Sequence, residues 1–274
     1  MIISDLHTAL LPYLEATPNK QVFVLTDANV ASCYPTLIGK YPHCILPAGD
    51  HNKSLHSVEL VWQFLIENGA TRDALLLNIG GGMITDLGGF VAATYMRGIR
   101  CVNIPTSLLA MVDASTGGKT GINILGLKNL VGTFTQPSAT LIYPPFLNTL
   151  SENEILSGYA EMLKHGLIAD PAHFYALLAI ELQMPYSELF APLLSDSIQV
   201  KRQIVSADFQ EKGLRKALNF GHTIGHAIEE SYAVQGRTVA HGYCVLWGMV
   251  AEVYLSVVHA GCPREVLQQL TQIM

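Results

Sequence analysis

Apolar residues in the first half of the chain fall in short blocks separated by stretches of helical spacing. Gln21–Thr26 (Gln-Val-Phe-Val-Leu-Thr) is a β-rich run that ends at Asp27. Helical signals and a second short strand near His43–Leu46 follow. Ser54–Asn68 repeats at helical spacing, with Val58, Val61, Trp62 and Leu65 on one side, and stops at Gly69. Ala74–Ile79 is a continuous apolar strand. Gly80-Gly81-Gly82 breaks it, and Met83–Ala93 reads as a helix. Cys101–Ile104 is another strand, closed by Pro105. Strands alternating with helices predict a parallel sheet covered on both faces.

After Pro144-Pro145 the pattern changes. Ser151-Glu-Asn-Glu154 has the form of a capping box, with Ser at the N-cap and Glu at the third helical position. From there helical spacing dominates: Ile155–Ile168, His173–Leu182, Glu188–Ser206, Asn219–Tyr232, His241–His259 and a last start at Arg264. The expected organisation is an α/β domain over residues 1–146 and an all-helical domain over 147–274, with a cleft where they meet. Such interfaces are preferred ligand sites.

Composition narrows the class. Half of the 274 residues are hydrophobic and 14% are charged, so a substantial core is expected and extensive disorder is not. The net charge of −6 argues against broad nucleic-acid binding. No run of about 18 apolar residues is present, so no membrane-spanning helix is expected. The first residues lack the basic-then-apolar pattern of a signal peptide. Cys33, Cys44, Cys101, Cys244 and Cys262 are odd in number and form no CxxC pair, which suits buried thiols in a reduced, cytoplasmic setting.

Several stretches carry candidate chemistry. In Leu218–Glu230, His222 and His226 stand four apart and share a helix face, and His241 opens the next apolar run. They read either as a metal or acid–base centre or as satisfied polar residues on a half-buried face. Arg215, Asn219, His222 and His226 step by four, three and four, a polar stripe if one helix holds them all. Glu161, Lys164 and His165 lie on one face of their own helix. Glu161 is either a surface partner of Lys164 or a carboxylate ligand. Lys201 and Arg202 add positive charge nearby in sequence.

Gly80–Phe90 places glycines between a buried strand and a helix start. There the backbone can approach a phosphate held by free N–H groups. The stretch is not GxGxxG, so a phosphate or dinucleotide site and a tight structural turn both remain open. Asp27 suits either ribose hydroxyls or an ordinary strand-end turn. Asp113–Gly121 ends in Gly-Gly-Lys-Thr, but Asp113 stands where a P-loop needs its first glycine. It reads as a mobile surface loop or, with Lys119, Lys128 and Asn129, as a site for an anionic group.

Taken together, Gly80–Phe90, Asp113–Gly121, Gly158–Gly166, Glu211–His226 and His241-Gly242, in this order, resemble the 3-dehydroquinate synthase family of sugar-phosphate cyclases, related to metal-dependent glycerol dehydrogenases. The resemblance covers about residues 27–248. It implies a Rossmann-like, NAD-binding N-terminal domain and a helical domain that binds metal and substrate. It implies a phosphorus–oxygen lyase of the shikimate pathway of aromatic amino-acid biosynthesis. That enzyme converts DAHP to 3-dehydroquinate and phosphate with transient oxidation by NAD and a divalent metal, zinc or cobalt. The metal ligands it implies are Glu161, His222 and His241. The cofactor residues are Asp27, Asp50, Lys53, Gly80, Gly81, Gly82, Asp86, Thr106, Ser107, Asp113, Ser115, Lys119 and Lys128. The substrate residues are Arg97, Lys119, Asn129, Lys164, Lys201, Arg215, Asn219 and His226. It also implies a homodimer with no nucleic-acid or membrane partner.

Three features depart from the family pattern. Tyr243 stands where Glu is usual, and Ala114 stands where Ser is usual. The family also continues past the point matching Met274 with further helix and a short lysine-bearing segment, so a truncated chain is expected. The alternatives are another cyclase, of the 2-epi-5-epi-valiolone or deoxy-inosose synthase type, or a non-catalytic NAD-binding fragment.

Overall fold

The computed structural model describes residues 1–237 and 239–273, and the chain divides into two compact units, Met1–Thr149 and Leu150–Met274. The first unit holds α1 (Leu6–Glu15), β1 (Val22–Asp27), α2 (Ala28–Cys33), α3 (Pro35–Ile38), β2 (His43–Leu46) and α4 (Leu55–Glu67). It continues with β3 (Leu75–Gly80), α5 (Gly82–Thr94), β4 (Arg100–Pro105), β5 (Lys119–Ile124), β6 (Leu127–Phe134) and β7 (Ala139–Thr140). Five strands make one parallel sheet in the order β2-β1-β3-β4-β7. Every residue of β1 and β3 is buried. That is why these central strands read as unbroken apolar runs rather than as alternating ones. On one face, Phe23, Leu25 and Leu76 pack with Val58, Val61 and Leu65 of α4 and Ile84, Leu87 and Val91 of α5.

The order of strands and helices agrees with the sequence reading, with three additions. Helix α1, capped by the Asp5 carboxylate, gave no periodic signal strong enough to register. The short strand β7 closes the sheet edge. The stretch around Lys119 is not a mobile loop: β5 and β6 form an antiparallel hairpin, with Lys119 paired to Phe134 and Gly121 to Gly132. Nearly all of β6 is exposed, Leu130 and Phe134 included, so no buried face marks it in the sequence.

The second unit is helical: α6 (Glu152–Ala169), α7 (Pro171–Leu178), α8 (Tyr186–Ala207), α9 (His222–Val234), α10 (His241–His259) and α11 (Arg264–Gln272). The capping box forms as read, with Glu154 N–H donating to Ser151 Oγ and Ser151 N–H donating to Glu154 Oε2. Helix α7 stops at Leu178, four residues before its expected end. Helix α10 is long and apolar enough to cross a membrane by length and composition alone. Its Cys244, Val245, Leu246, Met249 and Val253 are buried, as in the core helix of a folded domain.

One expectation fails here. Arg215 and Asn219 do not share a helix with His222 and His226. They belong to a separate 3₁₀ turn, Leu214–Asn219, and the chain swings at Gly221 with φ +79° before α9 begins. A side chain there would carry the left-handed penalty that glycine avoids.

Candidate active site

Glu161 is fully buried in the middle of α6. Lys164, one turn on and also buried, donates from Nζ to Glu161 Oε2. The expected surface pair is therefore an interior one. Burying a carboxylate raises its pKa, but Lys164 and two imidazoles outweigh that and hold Glu161 well below the usual carboxylate range.

The other oxygen, Oε1, is buried and receives no hydrogen bond among the described residues. It faces His222 Nε2 at 3.3 Å and His241 Nε2 at 3.8 Å. These three residues bring one donor atom each within 4.8 Å of the others. His222 Nδ1 lies 3.2 Å from the Phe220 carbonyl. A carbonyl only accepts, so that contact places a proton on Nδ1, and in the neutral ring Nε2 keeps a lone pair. That neutral form aims the lone pair at a carboxylate oxygen, an arrangement that a cation between them resolves. A tetrahedral zinc with bonds near 2.1 Å separates its ligand atoms by about 3.4 Å, close to the spacings found. Burial by itself lowers the pKa of His241, but Glu161 and Glu229 outweigh it and push His241 up to about 9. The pocket therefore favours positive charge, and one carboxylate with two imidazoles suits a catalytic divalent metal with open positions.

The i,i+4 partner of His222 has a different place. His226 is exposed, with its ring 5.2 Å from that of His222 and 6.1 Å from that of His241. Two further cations are buried in this unit, Lys201 on α8 and Arg215. The Arg215 guanidinium donates from Nη1 to the Phe209 carbonyl at 2.6 Å. Asn219 is exposed and donates to Glu211 Oε1 at 3.0 Å.

In the first unit, Gly80 ends β3, Gly81 caps α5, and Gly82 is its first residue. A β-carbon on Gly81 would come within 3.3 Å of Ser107 Oγ. Thr106 is buried and donates its N–H to the Gly80 carbonyl, which ties the glycine turn to the end of β4. Asp86 on α5 pairs with Lys53 at 3.1 Å, Lys53 with Asp50 at 3.3 Å, and Asp50 with Lys128 at 3.9 Å. Burial by itself lowers the pKa of Lys53, but Asp86 and Asp50 raise it above the usual lysine range. Asp27 caps α2, accepting from the Asn29 and Val30 N–H groups at 2.9 and 3.1 Å. Asp113 sits in a π-helical turn, Ala110–Ala114, followed by Ser115, whose hydroxyl donates to the Ala110 carbonyl. Lys119 and Asn129 are exposed on the hairpin, and Arg97 is exposed with φ +68°. Asn129, with φ +55°, donates its N–H to Asn123 Oδ1 at 3.0 Å.

The 3-dehydroquinate synthase N-terminal family profile matches residues 43–157, and the C-terminal profile of the same enzyme matches 158–274. A 3-dehydroquinate synthase from Parabacteroides distasonis is 46% identical, over 98% of this chain and 78% of that protein. The chain belongs to the 3-dehydroquinate synthase family. Among solved structures, 2-epi-5-epi-valiolone synthase of Streptomyces hygroscopicus, with NAD+ and Zn2+ bound, is 28% identical with a TM-score of 0.84. That match covers 99% of this chain and 79% of the other. The fold is shared with 2-deoxy-scyllo-inosose synthase, solved with carbaglucose-6-phosphate, NAD+ and Co2+, at TM-score 0.86 and 24% identity, covering 99% of this chain and 76% of that one.

Membership in this family frames what residue-by-residue reading missed. Glu229 and Glu252 were not singled out. Glu252 on α10 accepts from the Gly221 N–H at 2.8 Å through Oε2, beside the first residue of α9. Glu229 faces His241 from α9. The one available signal was that Glu229 continues the His222 and His226 face at heptad spacing.

Proposed function

We propose that the protein is a 3-dehydroquinate synthase, a phosphorus–oxygen lyase that converts DAHP to 3-dehydroquinate with release of phosphate, using NAD and a divalent metal. The single observation that carries this reading is the buried Glu161 oxygen facing the Nε2 atoms of His222 and His241. Family membership supplies the reaction. Glu161, His222 and His241 would hold the metal. When bound, the metal supplies Lewis-acid polarisation of substrate hydroxyls. NAD, when bound, would supply reversible hydride transfer, with no net oxidation over a turnover.

The chain's own residues bind, orient and stabilise charge. Lys164 balances Glu161 and keeps a positive group beside the metal ligands. Lys201, Arg215, Asn219 and His226 are proposed to hold the substrate's anionic and hydroxyl groups, and the family resemblance assigns substrate contacts to Arg97, Lys119 and Asn129 as well. Positive groups fixed before the reaction need no reorganisation as charge develops. The glycine turn at 80–82 opens onto the N-terminus of α5, which suits the cofactor's phosphates. Asp27, Asp50, Lys53, Asp86, Thr106, Ser107, Asp113, Ser115 and Lys128 are proposed to complete that cofactor site. A cytoplasmic homodimer is proposed on the same basis, and the five free cysteines support a reducing location.

The test is release of inorganic phosphate from DAHP by the purified protein. Release should require a divalent metal and substoichiometric NAD+, and other sugar phosphates should give none. Unchanged release after verified metal removal would overturn the metal assignment, and unchanged release without NAD+ would overturn the cofactor assignment.

A further inference from the structure

Helices α9 and α10 run antiparallel with their backbones almost touching. Gly248 abuts the Gly221 carbonyl. A β-carbon on Gly225 would lie 2.8 Å from the Cys244 carbonyl and 3.3 Å from Val245 Cα. One turn further along α9 and nearly one turn back along α10, the same register sets Glu229 opposite His241. Glu229 Oε2 lies 3.8 Å from His241 Nδ1, an ion-pair separation about 1 Å longer than a hydrogen bond. The other nitrogen of that ring, Nε2, faces Glu161. The glycines let the two helix backbones pack this closely, and that packing sets the facing of Glu229 and His241.

The two imidazoles are therefore supported differently. His222 has its Nδ1 on a neutral backbone carbonyl of its own chain turn. His241 has its Nδ1 toward a carboxylate from the neighbouring helix. We propose that Glu229 is a positioning residue of the metal centre: its carboxylate, at ion-pair distance from His241 Nδ1, favours the tautomer with the proton on Nδ1 and so presents Nε2 to the metal. The inference rests on the metal-site reading of Glu161, His222 and His241. Outer partners of this kind orient metal-bound histidines, and losing one costs on the order of 10- to 100-fold in metal affinity.

The experiment compares zinc affinity of the wild-type chain, Glu229→Gln and Glu229→Ala by chelator competition. Nitrogen–proton correlation NMR of the histidine rings is recorded on the zinc-loaded proteins, with a thermal melt of each. Glu229→Gln keeps an acceptor without the charge and should weaken zinc by about 10-fold. Glu229→Ala should weaken it by about 100-fold. The His241 Nδ1–H resonance should move upfield in Gln and exchange away in Ala, while that of His222 stays in place. The Gln variant, nearly isosteric, keeps the test valid if the Ala variant fails to fold. A wild-type chain that takes up no zinc overturns the metal reading and this inference with it. Zinc bound by wild type, with variants of equal affinity and an unmoved His241 resonance, overturns this inference alone.

Discussion

Two charged clusters, one in each unit, look alike in composition and differ in how their charges are matched. In the first unit, Asp86, Lys53, Asp50 and Lys128 alternate in sign, and each charge has an opposite neighbour within 4 Å. In the second unit, Lys164 matches only one oxygen of Glu161, and the other oxygen faces two imidazole nitrogens. The first arrangement is electrically complete as it stands. The second has spare donor capacity concentrated at one point. The first cluster needs no cation to balance it, whereas a carboxylate oxygen and two imidazole nitrogens converging on one point mark a place for one.

That contrast is broken most sharply by His222→Ala. It should lose stoichiometric zinc and at least about 10³-fold in DAHP turnover, the scale of several kcal/mol of charge stabilisation. Circular dichroism should report an unchanged fold. A variant that keeps one zinc per chain by elemental analysis would place the metal elsewhere.

A pair of lysine substitutions sharpens the comparison. Lys164→Met should cost the metal-free protein about 3–5 kcal/mol, because it strands a buried carboxylate. Much of that loss should return on adding zinc, which replaces the missing charge. Lys53→Met should cost about 1 kcal/mol, since its partners are partly exposed, Asp50 at 47%. Zinc should not restore it. Urea denaturation of both variants with and without zinc measures this. Equal zinc rescue of both would erase the distinction between the clusters.

The smallest effect tests whether a buried histidine outside the site is only structural. His173 on α7 is buried, and neither ring nitrogen has a hydrogen bond among the described residues. Burial holds its pKa below the ordinary value of 6.5, despite Asp196 and Asp170 nearby. As pH falls through 6.5 the unfolded chain takes up the proton first. Stability is therefore full above 6.5 and declines toward the folded-state value, by at most about 1.4 kcal/mol per pH unit. His173→Leu should flatten that part of the stability curve between pH 7 and 5.5, and an unchanged slope would assign the titration to another group.

What the sequence revealed follows the same physics. Strands β1 and β3 were legible because both of their faces are buried, and α6 because its cap is a local pattern. The hairpin of β5 and β6 was not, since β6 is exposed along nearly its whole length and each strand is interrupted by a glycine, Gly121 and Gly132. His222 and His226 drew attention by their spacing, yet only His222 faces Glu161. The three converging donors lie far apart in sequence, and tertiary packing alone brings Glu161 and His241 to His222. Local patterning therefore suggested a site without naming its members, and family resemblance had to supply them. The Arg215–His226 stripe was misread because spacing alone does not show that Gly221 turns the chain.

The contact between Gly221 and Gly248 has a consequence for mutational surveys. Neither residue offers a side chain to any ligand, yet a single methyl at Gly248 would collide with the Gly221 carbonyl and prise α9 from α10. A screen scored by growth alone would rank Gly248 with the histidines and credit it with chemistry. Intolerance at such positions marks the gauge that keeps the imidazoles in register, so the genetic footprint of the site is wider than its reacting groups.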